Sequence, residues 1–208
     1  MRQKLFDATR IVLVRHALTD TGSRLCGWFD VPLTSAGHAQ VRSAIGNGPK
    51  RPVPDALYTS TLTRARDVAA VLGQAWSLEF QPAEWAREIH CGQLEGMPLD
   101  QLQREFPEHW ARNLEQNDDA FAWPGGETYA QFRARVLAGL EAAAAAHPSG
   151  RIAVVTHAGV ISQVLGVIRG RTAAAWAVDR PDPLTATEVS WEHGTPRAVF
   201  TYGDRDWY

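Results

Sequence analysis

The chain has 208 residues, a length that suits one domain with room for an insertion. Its composition is that of an ordinary globular protein, with 45% hydrophobic and 21% charged residues. A formal net charge of −2 argues against a nucleic-acid or membrane surface, so any cationic site must be local.

The first part of the chain alternates predicted strands with predicted helices. Short apolar runs followed by turn residues indicate buried strands, and Thr34 is a suitable N-cap for the first helix. That helix has a stop signal in Gly46-Asn47-Gly48-Pro49. The predicted elements are a strand at 10–15, a helix at 35–46, a strand at 55–59, a helix at 61–75 and a short strand at 77–81.

Residues 82–126 interrupt this alternation with four prolines, which predicts an inserted cap beside the core. Two short helical patterns lie within it, at 98–105 and 107–117. The regular pattern then returns with a helix from Thr128 to Ala146, a strand at 151–156, a helix at 159–169 and a hairpin of 186–192 with 196–202.

Strands that alternate with helices predict an α/β fold. We expect a three-layer sandwich with a mainly parallel mixed sheet, helices on both faces and a cap or lid inserted at about 82–126. Residues 1–208 are expected to form a single domain.

Two of the predicted strands end in a histidine followed by small residues. These segments are Arg15-His16-Ala17 and Thr156-His157-Ala158-Gly159, and Arg64 lies near the start of the helix after the second strand. Ligands of open α/β sheets bind at the carboxyl ends of the strands, where these groups meet. Forked guanidinium donors match the oxygens of a phosphoryl group, so the pattern favours phosphate chemistry.

Each of these residues has a structural interpretation as well. A lone histidine at a strand end is more often structural than catalytic, and a lone arginine on a helix is usually a solvated surface charge. A metal site would need a third ligand at a recognisable spacing, which the chain lacks. The shared sheet edge is what favours catalysis.

A carboxylate would complete the chemistry, because expulsion of an alkoxide from phosphorus requires a proton. The segment from Arg87 to Gly96 offers Glu88 and Glu95, with glycines that support a sharp turn. Taken alone this segment is a weak signal, since a loop rich in glutamate is usually only solvated.

Together these motifs resemble the histidine phosphatase superfamily, in its phosphoglycerate-mutase-like branch. The matching segments occur in order over about 10–165: Leu13-Val14-Arg15-His16-Ala17-Leu18-Thr19, Gly27, Asp30, Pro32-Leu33-Thr34, Gly37, Gln40, Ser60-Thr61-Leu62-Thr63-Arg64-Ala65, Glu88, Gly92, Glu95-Gly96, Pro124-Gly125-Gly126-Glu127-Thr128 and Val154-Val155-Thr156-His157-Ala158-Gly159-Val160.

The resemblance implies a role for each matching residue. His16 would be the nucleophile that forms a phosphohistidine, and Glu88 would protonate the leaving oxygen and then activate water. Arg15, Arg64 and His157 would bind the phosphoryl oxygens and stabilise the transition state. The resemblance implies neither a metal nor a cofactor.

The chain departs from the family pattern in the loop after the nucleophile. Leu18 stands where an acidic or amide residue is usual, and Gly22 stands where an asparagine often helps to bind phosphate. We expect that donor to be missing or supplied nearby. The predicted phosphate-binding set therefore includes Thr19, Gly22, Ser23 and Ala158, with Thr21 as a further candidate.

The cap favours a phosphatase over a mutase. The cap has only two basic residues, Arg104 and Arg112, so its net charge is negative and it would bind a doubly anionic substrate poorly. Its acidic residues are seven: Asp100, Glu105, Glu108, Glu115, Asp118, Asp119 and Glu127. The cap aromatics Phe106, Trp110, Phe121 and Trp123 are interpreted mainly as packing, with an apolar leaving-group pocket as the alternative.

We therefore predict a metal-independent phosphatase of a small-molecule phosphomonoester, similar to small phosphatases such as the α-ribazole phosphatases. The alternatives are a cofactor-dependent phosphoglycerate mutase and a non-catalytic phosphate-ligand-binding or regulatory protein. No nucleic-acid or membrane partner is expected, and a homodimer is left open. Residues 1–7 lack the apolar stretch of a signal peptide, which predicts a cytoplasmic location.

Overall fold

The computed structural model describes residues 8–46, 50–205 and 207–208. The strands are β1 (Thr9–Arg15), β2 (Ala56–Ser60), β3 (Phe80–Ala83), β4 (Arg151–Thr156), β5 (Ala186–Glu192) and β6 (Thr195–Asp204). The helices are α1 (Ser35–Ile45), α2 (Thr63–Trp76), α3 (Leu99–Glu105), α4 (Pro107–Glu115), α5 (Tyr129–Ala146) and α6 (Ala158–Ile168). The predictions for the segment 1–7 and for the helix stop at 47–49 fall outside the described residues.

Among the described residues, six strands form one mixed sheet in the order β3-β2-β4-β1-β5-β6. β1 pairs in parallel with β4, and β2 pairs in parallel with both β3 and β4. β5 is antiparallel to β1 and to β6, as expected for a terminal hairpin. The predicted α/β fold with a mainly parallel mixed sheet is confirmed.

Alternate residues of the central strands pack into two separate hydrophobic cores, one on each face of the sheet. Ile11 and Leu13 of β1 pack with α5 and α6 on one face of the sheet. Val12 and Val14 pack with α1 and α2 on the other face. The uninterrupted apolar run at 11–14 of β1 is thus explained by burial on both faces of the sheet, and helices cover both faces as predicted.

The cap has a small core of its own, built around Leu94 and Leu102 together with the aromatic residues Phe121, Trp123 and Tyr129. Phe121 and Trp123 are almost fully buried, which supports the packing interpretation for these two aromatics. Phe106 and Trp110 are only partly buried against the same cluster.

The predicted strand at 77–81 is placed too early, because the observed strand β3 covers Phe80–Ala83. Ser77 adopts the left-handed conformation that ends α2, and the Leu78 amide donates to the Gly73 carbonyl. β3 is an edge strand, where Pro82 is tolerated. The segment predicted as a cap from about 82 therefore leaves the sheet after residue 83.

Within the described part of the chain, no helix combines the length and the apolar character needed to cross a membrane.

Candidate active site

A cavity of about 530 Å³ opens at the carboxyl ends of β1 and β4, below the cap. Arg15, His16, Arg64 and Glu88 all line it. They come from the end of β1, the first turn of α2 and the loop after β3. The structure therefore brings together at one point four of the five residues that the sequence singled out.

His16 is 8% exposed, and its ring is oriented by a hydrogen bond from Nδ1 to the Ala17 carbonyl at 2.8 Å. A carbonyl only accepts, so Nδ1 carries the proton and Nε2 carries the lone pair of the neutral ring. Burial, with the positive charges of Arg64 and Arg15, lowers the pKa of His16 to about 3. The ring is thus neutral at physiological pH.

Arg64 is almost fully buried, and three groups of the protein orient its guanidinium. Nη2 donates to the Gly27 carbonyl at 2.8 Å and Nη1 to the Phe29 carbonyl at 3.1 Å. Nε donates to His157 Nδ1 at 3.2 Å. A guanidinium has five N–H donors, so two remain for a ligand in the cavity.

Arg15 is held by one backbone contact, from Nη1 to the Pro181 carbonyl at 2.6 Å. Its Nε is buried and finds no acceptor among the described residues. A buried donor without a partner is costly unless a ligand or water satisfies it. Burial and the nearby charge of Arg180 lower the pKa of Arg15, which is consistent with a site shaped for an anion.

His157 is fully buried behind this cluster and does not line the cavity. Its Nδ1 accepts from Arg64, so Nε2 carries the proton and donates to Ser60 Oγ at 2.8 Å. Its ring centroid lies 5.2 Å from that of His16. Burial lowers the pKa of His157 well below its usual range. The predicted contact with phosphoryl oxygens stays a prediction, while the geometry suits a group that positions Arg64.

Glu88 faces the N-terminus of α6, where its Oε2 accepts from the Gly159 amide at 3.0 Å. A side chain at Gly159 would place a Cβ only 2.1 Å from Glu88 Oε1, so only glycine allows this approach. The hydrogen bond from the Gly159 amide thereby holds the carboxyl group in the same cavity as His16.

Glu95 has a supporting role in the site. Its carboxylate accepts hydrogen bonds from the amides of Gly27, Trp28, Phe29 and Cys91. The loop it organises carries the two carbonyls that hold Arg64. Of the two glutamates that the sequence offered, Glu88 lines the cavity and Glu95 builds its wall.

The other predicted phosphate-binding residues divide into two groups. Thr19 and Ala158 line the cavity, as does Thr21, the further candidate. Gly22 and Ser23 do not; the Gly22 amide donates to Asp20 Oδ1, and the Ser23 carbonyl accepts from the Leu99 amide. Their predicted role in phosphate binding has no geometric support here.

A sequence model described as the histidine phosphatase superfamily (branch 1) matches residues 11–202. The chain belongs to the histidine phosphatase superfamily. The resemblance inferred from the motifs is therefore confirmed.

Relatives and solved structures agree with the histidine phosphatase assignment. A metal-independent phosphoserine phosphatase of Arabidopsis thaliana is 30% identical over 161 residues, which are 76% of this chain and 68% of that protein. The structure of a mycobacterial glucosyl-3-phosphoglycerate phosphatase has a TM-score of 0.82 at 27% identity, covering 95% of this chain and 99% of that one.

A putative α-ribazole-5′-P phosphatase from Escherichia coli shares the fold, with a TM-score of 0.82 at 23% identity over 96% of this chain and 98% of that one. Proteins named as probable phosphoglycerate mutases also match. The names of histidine phosphatase relatives thus include both reaction types.

In this histidine phosphatase, the acidic cap residues lie away from the cavity, whereas the sequence leads us to expect that their charge disfavours a doubly anionic substrate there. None of the seven lines the cavity. Asp100 and Asp118 pair with Arg104 and Arg112 on the outside, and Glu127 pairs with Arg135. The cap helices turn their charged faces outward, so cap charge carries no argument against an anionic substrate.

Sequence reasoning missed the segment 172–183, which has no regular secondary structure but closes one side of the cavity with Trp176 and Arg180. Buried Asp179 anchors it by pairing with Arg169 and Arg171. The two arginines after α6 were the available signal, but nothing in their spacing indicates a cavity wall.

Arg135 was also missed. From α5 it donates to the carbonyls of Trp85, Arg87 and Glu88, and it pairs with Glu127. It thereby fixes the backbone on which Glu88 sits. Nothing in the sequence distinguishes it from a surface arginine of the helix.

Among the described residues, no group of three or more His, Cys, Asp or Glu is arranged to hold a metal ion. The positive charge that lines this site belongs to arginines, and the metal-free reaction stays a prediction.

Proposed function

We propose that the protein hydrolyses a small-molecule phosphomonoester through a phosphohistidine intermediate on His16. The observation that carries the proposal is His16 itself: a buried, neutral imidazole with its Nε2 lone pair free, flanked by Arg15 and Arg64. Few structural roles require a neutral nucleophile between two cations in a cavity.

In the first step Arg15 and Arg64 bind the phosphoryl oxygens with their remaining N–H donors. His16 Nε2 attacks phosphorus, the N–P bond forms, and the bond from phosphorus to the alcohol oxygen breaks. Glu88 gives its proton to that oxygen, so the alcohol leaves neutral. The arginines stabilise the negative charge that is spread over the transition state.

In the second step Glu88, now a carboxylate, takes a proton from water. The water oxygen attacks phosphorus, the N–P bond breaks, and inorganic phosphate leaves with His16 restored. In this proposal His157 acts through Arg64, because direct contact with the phosphoryl group would require its ring N–H to leave Ser60.

The direct test is hydrolysis of p-nitrophenyl phosphate by the parent protein, by His16→Ala and by the exposed-site control His193→Asn. We expect His16→Ala to lose turnover by at least about 10³-fold while it keeps its circular dichroism spectrum and unfolding midpoint. His193→Asn should match the parent. Residual turnover of His16→Ala near that of the parent would exclude the nucleophile assignment.

The mutase alternative is tested by incubation with 3-phosphoglycerate. Release of phosphate without isomerisation agrees with a phosphatase, whereas isomerisation faster than phosphate release contradicts it. A protein that binds phosphate esters but turns over none would be the non-catalytic alternative.

A further inference from the structure

The cavity extends well beyond the group that would hold a phosphoryl moiety. Its volume of about 530 Å³ lies within the roughly 300–1,000 Å³ of sites for drug-sized ligands. A large part of the substrate's alcohol portion would therefore be enclosed, and the lining of that part of the cavity should match its chemistry.

The lining away from Arg15 and Arg64 includes several aromatic side chains. Five line it from the cap, from α5 and from the 172–183 segment: Trp110, Trp123, Tyr129, Phe132 and Trp176. Trp123, Tyr129 and Phe132 are almost fully buried, while Trp110 and Trp176 are half-buried. Aromatic walls bind flat apolar rings through area burial and through stacked or edge-on ring contacts.

The two side-chain amide oxygens of the lining are already engaged with the protein. Asn113 Oδ1 accepts from the Tyr129 hydroxyl at 2.6 Å. Gln116 Oε1 accepts from the Ala177 amide at 3.3 Å, which ties α4 to the 172–183 segment. A hydroxyl group placed directly against the aromatic rings would be left without a partner, which is unfavourable.

Two further arginines line the cavity, but both are exposed. The Arg180 guanidinium lies 5.0 Å from the Trp176 ring centroid, and Arg24 Nη1 donates to the Gly96 carbonyl at 2.7 Å. Exposed charges are screened by water. They therefore help to attract a phosphate dianion toward the cavity more than they select the chemistry of the substrate's alcohol portion.

We propose that the substrate is the phosphate ester of an alcohol that bears a flat aromatic group and no carboxylate. This inference rests on the proposed function and names the substrate class of the same site. The aromatic group would lie against the half-buried rings of Trp110 and Trp176, with the phosphoryl group between Arg15 and Arg64.

The first experiment compares phosphate release from alkyl esters whose alcohols are all weak acids: benzyl, 2-naphthylmethyl and glycerol phosphates, phosphoserine and 3-phosphoglycerate. We expect the two aromatic esters to have kcat/KM at least about tenfold above the others, since apolar contacts of this size discriminate by that order. A preference for phosphoserine or 3-phosphoglycerate would overturn the proposal and assign Arg24 and Arg180 to a carboxylate.

The second experiment changes the wall. Trp110→Leu and Leu114→Asp should each lower kcat/KM for 2-naphthylmethyl phosphate about tenfold while leaving that for glycerol phosphate within about twofold. Leu114 is an exposed residue at the cavity, so the charge should not unfold the protein. Val53→Asp, also exposed and away from the cavity, is the matched control. Equal losses for both esters would contradict the proposal.

A binding measurement separates this inference from the proposed function. We would titrate 2-naphthylmethylphosphonate and phosphonoacetate calorimetrically into His16→Ala. This measurement of binding does not depend on turnover. Tighter binding of the naphthyl compound supports the proposed substrate class, whether or not any ester is hydrolysed. Absence of hydrolysis would contradict only the phosphatase proposal. Tighter binding of phosphonoacetate would overturn the substrate class while leaving hydrolysis standing.

Discussion

At the scale of single residues, the site depends on which hydrogen-bonding atoms the protein has already used. His16 Nδ1 donates to a backbone carbonyl, which leaves Nε2 available to a ligand. Arg64 uses three of its five N–H donors in bonds within the protein, which leaves two for a ligand. Both ring nitrogens of His157 are already hydrogen-bonded, to Arg64 and to Ser60. The residue types at these positions were predictable from the motifs, but this division of donors was not, because it depends on backbone carbonyls from distant loops.

Glu88→Gln keeps the shape of the side chain and removes its ability to transfer a proton. We expect kcat/KM for an alkyl phosphate to fall by about 10²–10⁴-fold, and kcat/KM for p-nitrophenyl phosphate to fall much less, because kcat/KM reports the first step and this leaving group needs little protonation. Steady-state kinetics on both esters measure the difference. The control is Glu84→Gln, an exposed residue of the same segment; equal losses for the two esters in Glu88→Gln would rule out a general acid.

At the scale of elements, the regular strands and helices were predictable and the connecting segments were not. β1, β4, α5 and the terminal hairpin follow directly from apolar periodicity and capping residues such as Thr128. The segment 172–183 has no periodic pattern, and its position depends on the pairing of Asp179 with Arg169 and Arg171. Long-range pairs of this kind are invisible to local sequence patterns.

The N-terminus of α6 offers a prediction about the position of Glu88. In Gly159→Ala the new Cβ would lie 2.1 Å from Glu88 Oε1, so the flexible carboxylate must move. A misplacement of about 1 Å can lower turnover by roughly 10²-fold, and we expect kcat for an alkyl phosphate to fall by that order with little change in unfolding free energy.

The control for this substitution is Gly46→Ala, where the nearest atom to a new Cβ is 3.5 Å away. It should leave kcat unchanged. Parent-like turnover of Gly159→Ala would show that the position of Glu88 does not limit the reaction.

At the scale of the whole molecule, the fold places two uncharged histidines in its interior beside two arginines. The pKa of His16 falls to about 3 and that of His157 falls well below its usual range, whereas both would titrate near pH 6.5 in the unfolded chain. Below about pH 6.5 the unfolded state therefore binds more protons than the native state. The stability contributed by neutral histidines is present above that pH and is lost as the pH falls.

We expect the unfolding free energy of the parent protein to fall below pH 6.5 with a slope of up to about 1.4 kcal/mol per pH unit for each buried histidine. His16→Gln should show a slope smaller by up to that amount, as measured by urea unfolding between pH 5 and 7. His193→Asn should keep the parent's dependence. Identical slopes for His16→Gln and the parent would contradict a neutral buried His16.

The central claim is that His16 carries the phosphoryl group during turnover. Rapid acid-free denaturation of the protein during hydrolysis of ³²P-labelled p-nitrophenyl phosphate, whose leaving group needs little protonation, followed by peptide mapping, tests it most directly. We predict an acid-labile, base-stable label on the peptide that contains His16, which accumulates in Glu88→Gln and is absent from His16→Ala. Turnover with no label on His16, or a label on another residue, would contradict the account.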